Sequence, residues 1–292
     1  MFHIYIEPES GPAPVVQVIE QARRSIVVNA YYLDDRQVLN ALGAAVKRGV
    51  QVQVILDRKP YDMRPWRLRR EFREVRATGA GVKASPPRFE FDHAKYVCSL
   101  SACEIGTANY SWSAFHKNRE YMVVTDNPHI VKAARRVFEA DWMSARAGSM
   151  PRHYLVLSPG ATSSLIKKAL AQPGPIDIEQ EELGDDSQLL HALLVKGRMA
   201  RLILPLRAAR RDRERVARLR RAGVQIKFMS PRVVYMHAKM IVGNHLAFIG
   251  SQNMSWTSLN RNREMGLVFS HKEALKTLES QFNADWKQAQ SG

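Results

Sequence analysis

The sequence predicts an α/β protein built as two similar halves, each with helices packed on a mostly parallel sheet, the two related by a pseudo-twofold axis. Three observations carry this. The chain repeats itself at a constant offset, each copy alternates apolar strand-like runs with helical ones, and the copies are separated by a stretch rich in Gly, Ser and Pro. The 292 residues, 45% apolar and 25% charged, are ample for a buried core.

The repeat is clearest in its second part. At an offset of 144, His93-Ala94-Lys95 falls on His237-Ala238-Lys239, Gly106 on Gly250 and Asn109 on Asn253. Further on, Ser111-Trp112 meets Ser255-Trp256, Asn118-Arg119-Glu120 meets Asn262-Arg263-Glu264, and Phe138 with Asp141-Trp142 meets Phe282 with Asp285-Trp286. The upstream parts repeat more loosely. IVVNAYYLDD, VLNALGAAVKRG and VQVQVILD read as strand, helix, strand; IDIEQEELGDD, LLHALLVKGRM and ARLILP repeat that order. After each HAK an apolar segment turns back on itself to Gly106 or Gly250, which predicts a β-hairpin, and each copy closes with a helix ending in Asp-Trp. The boundary falls at Ala147-Gly148-Ser149-Met150-Pro151, giving units 1–147 and 148–292. Trp112 and Trp256, matched in the repeat, are expected to pack in the core, with base stacking on a nucleic acid as their alternative.

Residues two apart on a strand share a face, so each His-Lys pair presents an imidazole beside an ammonium. A twofold axis gathers two such pairs around one cavity. A phosphodiester needs cationic and hydrogen-bonding partners for its anionic oxygens, a nucleophile for phosphorus and a proton for the leaving alkoxide. Lys95, Lys239, Asn109 and Asn253 can supply the first. One neutral imidazole can attack while the other, protonated, acts as acid. Glu120 and Glu264 could each accept Nδ1–H from the imidazole of their own or the other half, leaving Nε2 toward phosphorus; ion pairing with Arg119 or Arg263 is their alternative. Thr107 and Ser251 could donate to substrate or simply order their loops.

These motifs, HAKYVCSL…GTAN…NRE and HAKMIVGN…GSQN…NRE, resemble those of the phospholipase D superfamily, whose mark is a duplicated HxKxxxxD element followed by a GSxN-like element and a downstream acidic residue. The resemblance covers nearly the whole chain. It implies two α/β/α sandwich halves with mixed sheets, and phosphodiester cleavage or exchange through a phosphohistidine, with no metal or other cofactor. By that resemblance His93 is the nucleophile, His237 the acid, Lys95, Lys239, Asn109 and Asn253 the phosphate ligands, and Glu120 and Glu264 the histidine orienters. The motif aspartate is missing from both halves, where Leu100 and Asn244 stand. That position falls at the hairpin turn, so its loss should reshape the turn without removing a catalytic group.

The formal net charge of +16 favours a polyanionic partner. Residues 64–76 and 207–221 together carry +10 of it, as arginine-rich helices that either face solvent or track a polyanion. Leu68, Phe72 and Val75 give the first of them one apolar face. Phospholipid is the favoured substrate, because Tyr61, Met63 and Trp66 beside that helix suit a peripheral membrane contact. A nuclease on single-stranded DNA or RNA is the alternative, and a polyanion binder without activity the second. Where substrate should lie, at the carboxyl ends of strands, the halves differ. The first offers Tyr31-Tyr32 and Asp57-Arg58-Lys59, with Tyr31 and Lys59 as candidate substrate contacts; the second offers Glu181-Glu182 and Leu204-Pro205-Leu206. Cys98 and Cys103 are either a cross-strand bridge or two buried thiols. No run approaches the roughly eighteen apolar residues of a membrane span. The N-terminus MFHIYIEPES shows no export signal, although one could have been trimmed, so the compartment, secretion included, stays open. One chain holds both histidines, so a monomer suffices.

Overall fold

A computed structural model describes residues 2–291. The first sheet is built from β1 (Phe2–Glu7), β2 (Ser25–Ala30), β3 (Gln51–Leu56), β4 (Gly81–Ala84), β5 (Tyr96–Cys98), β6 (Cys103–Gly106) and β7 (Asn118–Thr125). The second takes β8 (Val156–Ser158), β9 (Ile176–Gln180), β10 (Ala200–Pro205) and β11 (Gln225–Met229). After the short β12 (Tyr235–Met236) it is completed by β13 (Lys239–Gly243), β14 (Ala247–Gly250) and β15 (Glu264–Phe269). The spatial orders, β1-β7-β6-β5-β2-β3-β4 and β8-β15-β14-β13-β9-β10-β11, are the same order written twice. In each sheet five strands run one way and two the other. Within these seven-strand orders parallel pairing is confined to β2-β3-β4 and β9-β10-β11, and the remainder, with the HAK hairpins at its centre, is antiparallel; β12 adds a short parallel pair to β7.

Local chemistry agrees with this plan. In β2, Val27 faces one core while Ile26, Val28 and Ala30 face another, as a strand covered on both sides requires. Asp35 and Asn127 cap the helices Arg36–Lys47 and Pro128–Trp142 through their side-chain oxygens, and Asp186 caps Ser187–Lys196. Gly106 is forced by close approach, since a Cβ there would lie 2.6 Å from the Tyr121 carbonyl oxygen. At Gly250 a Cβ would lie 2.6 Å from the Gly266 Cα. Cys98 and Cys103 face each other across β5 and β6 and are bridged. Leu100 lies exposed in the turn between those strands, on the side away from His93.

Each half keeps its own outer core, and a third core joins the halves. It combines the inner faces of both sheets with the helices Pro128–Trp142 and Lys272–Gln288. Here the repeated Arg and Asp-Trp motifs explain themselves. Arg119 reaches into the other half and bonds Asp285 through Nε and Nη2 at 2.7 and 3.1 Å; Arg263 does the same to Asp141 at 2.7 and 3.0 Å. All four side chains are buried, and the forks are bidentate. Burial opposes charge on Arg263, but Asp141 outweighs it and the guanidinium is raised. Trp142 and Trp286 stack on Phe138 and Phe282 beside these forks. Trp112 and Trp256 depart from expectation: they are 55% and 50% exposed. Each opens a short helix after a capping serine, with its ring exposed, so the repeat preserves a surface position at the helix start and not a core position.

Candidate active site

The two HAK segments cross between the halves before joining their own sheets. β12 pairs with β7, Met236 opposite Arg119, and Asp92 forms the matching bridge with Arg263. The His93 amide accordingly donates to the Arg263 carbonyl at 2.8 Å, and that of His237 to the Arg119 carbonyl at 3.3 Å. Each histidine is thus delivered beside the glutamate of the other half. His93 Nδ1 lies 3.0 Å from Glu264 Oε2, and His237 Nδ1 lies 2.7 Å from Glu120 Oε1. The arginine alternative for these glutamates is ruled out, because Arg119 and Arg263 are spent on Asp285 and Asp141.

Both carboxylates are fully buried and held in place. Glu264 Oε1 accepts from Ser258 Oγ at 2.7 Å and Asn262 Nδ2 at 3.0 Å. Glu120 accepts from Thr107 Oγ1 at 2.6 Å and Asn118 Nδ2 at 3.1 Å. Burial opposes ionisation of Glu264, but the His93 imidazole beside it prevails, and its carboxyl sits below the usual range. For His93, burial is the larger influence and lowers its pKa, with Lys95 adding to that and Glu264 opposing it. A neutral His93 with its proton on Nδ1 presents a bare Nε2.

His93, His237, Asn109, Asn253 and Tyr31 line one cleft of about 820 Å³. Lys95 and Lys239 lie beneath its surface, fully buried, each donating from Nζ to the carbonyl of its own motif histidine. Burial pushes the Lys95 ammonium down to about 7. The Oδ1 of Asn109 is buried without a hydrogen-bond partner, whereas that of Asn253 accepts from Gln180 at 3.3 Å. The Tyr31 ring stands edge-to-face with that of His93, their centroids 4.6 Å apart, and its centroid is 5.1 Å from Lys95 Nζ. Three candidate substrate contacts stand elsewhere. Thr107 and Ser251 are fully buried, one holding Glu120 and the other accepting from the Met265 amide, so their hydroxyls order the loops. Lys59 sits outside the cleft lining, paired with Glu90 at 2.8 Å over the Phe91 ring.

Two cleft groups stand outside the candidate site residues: Glu181, read from sequence only as strand-end asymmetry, and Arg207, read only as part of the arginine-rich segment. Glu181, following β9, occupies the place that Tyr31 has after β2; its carboxylate is 2.8 Å from Lys239 Nζ and 3.3 Å from His237 Nε2. Arg207 pairs with Glu181 at 2.8 Å, and with Arg211 and Arg215 forms one wall of the cleft. The second arginine-rich segment therefore reaches into the site and is not wholly a solvated face. Strand-end asymmetry was the available signal for Glu181; the eight arginines between positions 207 and 221 masked Arg207.

The family described as "Cardiolipin synthase, PLD-like domain" matches residues 15–142 and 175–286. A cardiolipin synthase of Clostridium perfringens (strain SM101 / Type A) is 30% identical over 128 residues, which are 43% of this chain and 26% of that protein. The chain thus spans about a quarter of the length of the curated relatives it matches. Among solved structures, phosphatidylserine synthase of Haemophilus influenzae aligns over 98% of this chain and 86% of its own, with a TM-score of 0.73 at 10% identity. Polyphosphate kinase of Porphyromonas gingivalis aligns over 98% of this chain and 47% of its own, with a TM-score of 0.75 at 15% identity. These two likenesses concern the fold. With one family matching both halves of the chain, and the paired histidine motifs brought to one cleft, this protein belongs to the phospholipase D superfamily, among its cardiolipin synthase-like PLD domains.

Proposed function

We propose that the protein is a phosphodiesterase of phospholipase D type that cleaves or exchanges phospholipid headgroups through a phosphohistidine and needs no metal. The observation that carries this reading is the reciprocal pairing of each histidine with the other half's glutamate at a single cleft. His93, neutral and bare at Nε2, attacks phosphorus. The P–O bond to the leaving group breaks, and His237 Nε2–H gives its proton to the departing alkoxide. Water or an alcohol then loses a proton to His237 and attacks phosphorus, releasing His93. Lys95 and Lys239 supply positive charge from beneath, and Asn109 and Asn253 flank the phosphoryl position.

Phospholipid is favoured by the matched family's description, by the cardiolipin synthase relative, and by the rim of the cleft, where Tyr61 and the nearby Trp66 are 76% and 55% exposed beside Arg64 and Arg67. The Arg207, Arg211 and Arg215 wall favours a second reading, a single-stranded nucleic acid backbone. Labelled phosphatidylglycerol, phosphatidylcholine, single-stranded DNA and RNA, each offered with EDTA present to wild type, His93→Ala and His237→Ala, separate these. Lipid turnover lost in both variants is expected. Turnover of DNA or RNA alone selects the second reading, and equal clearance by wild type and variants ends both.

A further inference from the structure

Glu181 has no counterpart in the first half, where Tyr31 follows the equivalent strand. Its carboxylate gathers the donors of the second half. Oε2 accepts from Lys239 Nζ at 2.8 Å and stands 3.3 Å from His237 Nε2; Oε1 accepts from Arg207 Nη2 at 2.8 Å and from the Tyr235 hydroxyl at 3.4 Å. Two cations, an imidazole and a phenol around one anion is the set of partners a phosphoryl group would recruit. Burial opposes charge on Glu181, yet His237 and Lys239 outweigh it and hold the carboxyl well below the usual range, so it is an anion.

We propose that Glu181 is a resident competitor for the phosphoryl group: it occupies the second half's anion donors, and a phosphoryl ligand must displace it to reach them. This rests on the phosphodiesterase reading given above. Displacement needs only side-chain rotation, because the Glu181 amide stays bonded to the Ala238 carbonyl at 2.9 Å. The chemical consequence concerns the product. A phosphomonoester carries more charge than the diester it came from and would be the tighter ligand of this cluster. A carboxylate that returns to the same donors expels it. On the first half the phosphoryl group meets the Tyr31 ring and Asn109 without such competition, which seats it toward His93.

The test is binding of inorganic phosphate to wild type, Glu181→Gln and Glu181→Ala, measured directly by calorimetry and as inhibition of chromogenic diester turnover. Glutamine keeps the volume of the side chain and removes its charge; alanine removes the competitor altogether. Both variants are expected to bind phosphate at least about tenfold more tightly, the equivalent of releasing one charge-assisted contact. Unchanged or weaker binding in both, with melting transitions matching wild type, overturns the proposal and leaves Glu181 as a positioning residue for Lys239. Because calorimetry needs no turnover, tighter phosphate binding in a protein that cleaves no diester would uphold the competitor while refuting the enzymatic reading. Diester turnover without tighter binding would do the reverse.

Discussion

Replacing Glu264 and Glu120 separately by glutamine should divide the reaction into its two steps. Glu264 Oε1 is committed to Ser258 and Asn262, so a glutamine carbonyl takes that side and its amide group faces His93 Nδ1. Nδ1 must then accept, the proton moves to Nε2, and the nucleophilic lone pair is gone. Losing a charge-assisted hydrogen bond of about 1.5–3 kcal/mol together with the correct tautomer predicts roughly a thousandfold loss in the rate of phosphohistidine formation. Glu120→Gln acts differently: Asn118 donates to Oε1, the oxygen that also faces His237 Nδ1, so the glutamine carbonyl stays on the imidazole and only the supporting negative charge is lost. A p-nitrophenolate leaving group needs no proton, so the first step survives. Without the carboxylate to stabilise its imidazolium, His237 is a poorer base toward water, so the second step stalls. Stopped-flow measurement with a p-nitrophenyl diester should therefore show a burst of about one equivalent per chain in Glu120→Gln, with acid-labile phosphate retained on the protein, and no burst in Glu264→Gln. A burst in Glu264→Gln and none in Glu120→Gln would exchange the roles of the two histidines. Acid-labile phosphate in neither variant nor wild type would remove the covalent intermediate.

The pH profile of kcat/KM should be a narrow bell. Its acid limb falls below the ordinary histidine value of 6.5, because activity drops only once His93 gains a proton, and its basic limb lies near 7, where the buried Lys95 gives up its charge. In kcat the basic limb should move upward, since a bound phosphoryl anion retains the ammonium; a limb at the same pH in both would separate Lys95 from the substrate. Asp141→Asn and Asp285→Asn each strand a buried guanidinium and should cost about 3–5 kcal/mol in urea unfolding, with losses under about 1 kcal/mol showing that the forks contribute little. Joint replacement of Cys98 and Cys103 by alanine opens a bridge of sequence separation 5 and should lower unfolding free energy by about 2 kcal/mol while sparing turnover; loss of activity in the folded variant would tie the hairpin to the site. Trp66→Ala and Trp112→Ala should weaken co-sedimentation with phosphatidylglycerol vesicles but not cleavage of a soluble diester, and equal loss in both assays would place these rings in the cleft.

Much of this architecture was legible because the chain states it twice. His93 over His237 and Glu120 over Glu264 need only a constant offset to be noticed, and strand periodicity then explains why a histidine and a lysine two residues apart belong together. Which glutamate serves which histidine was not legible. That choice is made by the crossing of β12 onto β7, a pairing between residues more than a hundred positions apart that local pattern does not encode. The Arg-Asp forks were hidden for the same reason, although each partner had been seen repeating. Trp112 and Trp256 show the opposite limit: repetition marks a position as retained in both copies but does not say whether its ring faces inward or out. The bridge between Cys98 and Cys103 stayed open in sequence because spacing fits either state, and only the strand register sets them face to face.

The exchange of glutamates between halves has an evolutionary corollary. Were the same site made by two identical chains, any change to one wall would be copied onto the other, and an aromatic ring could never oppose a carboxylate. Joining the copies in one polypeptide released them from that symmetry, so Tyr31 and Glu181 could specialise while the imidazoles between them stayed matched. Neither copy became dispensable as it diverged, because each still depends on its sister for the group that aims its histidine.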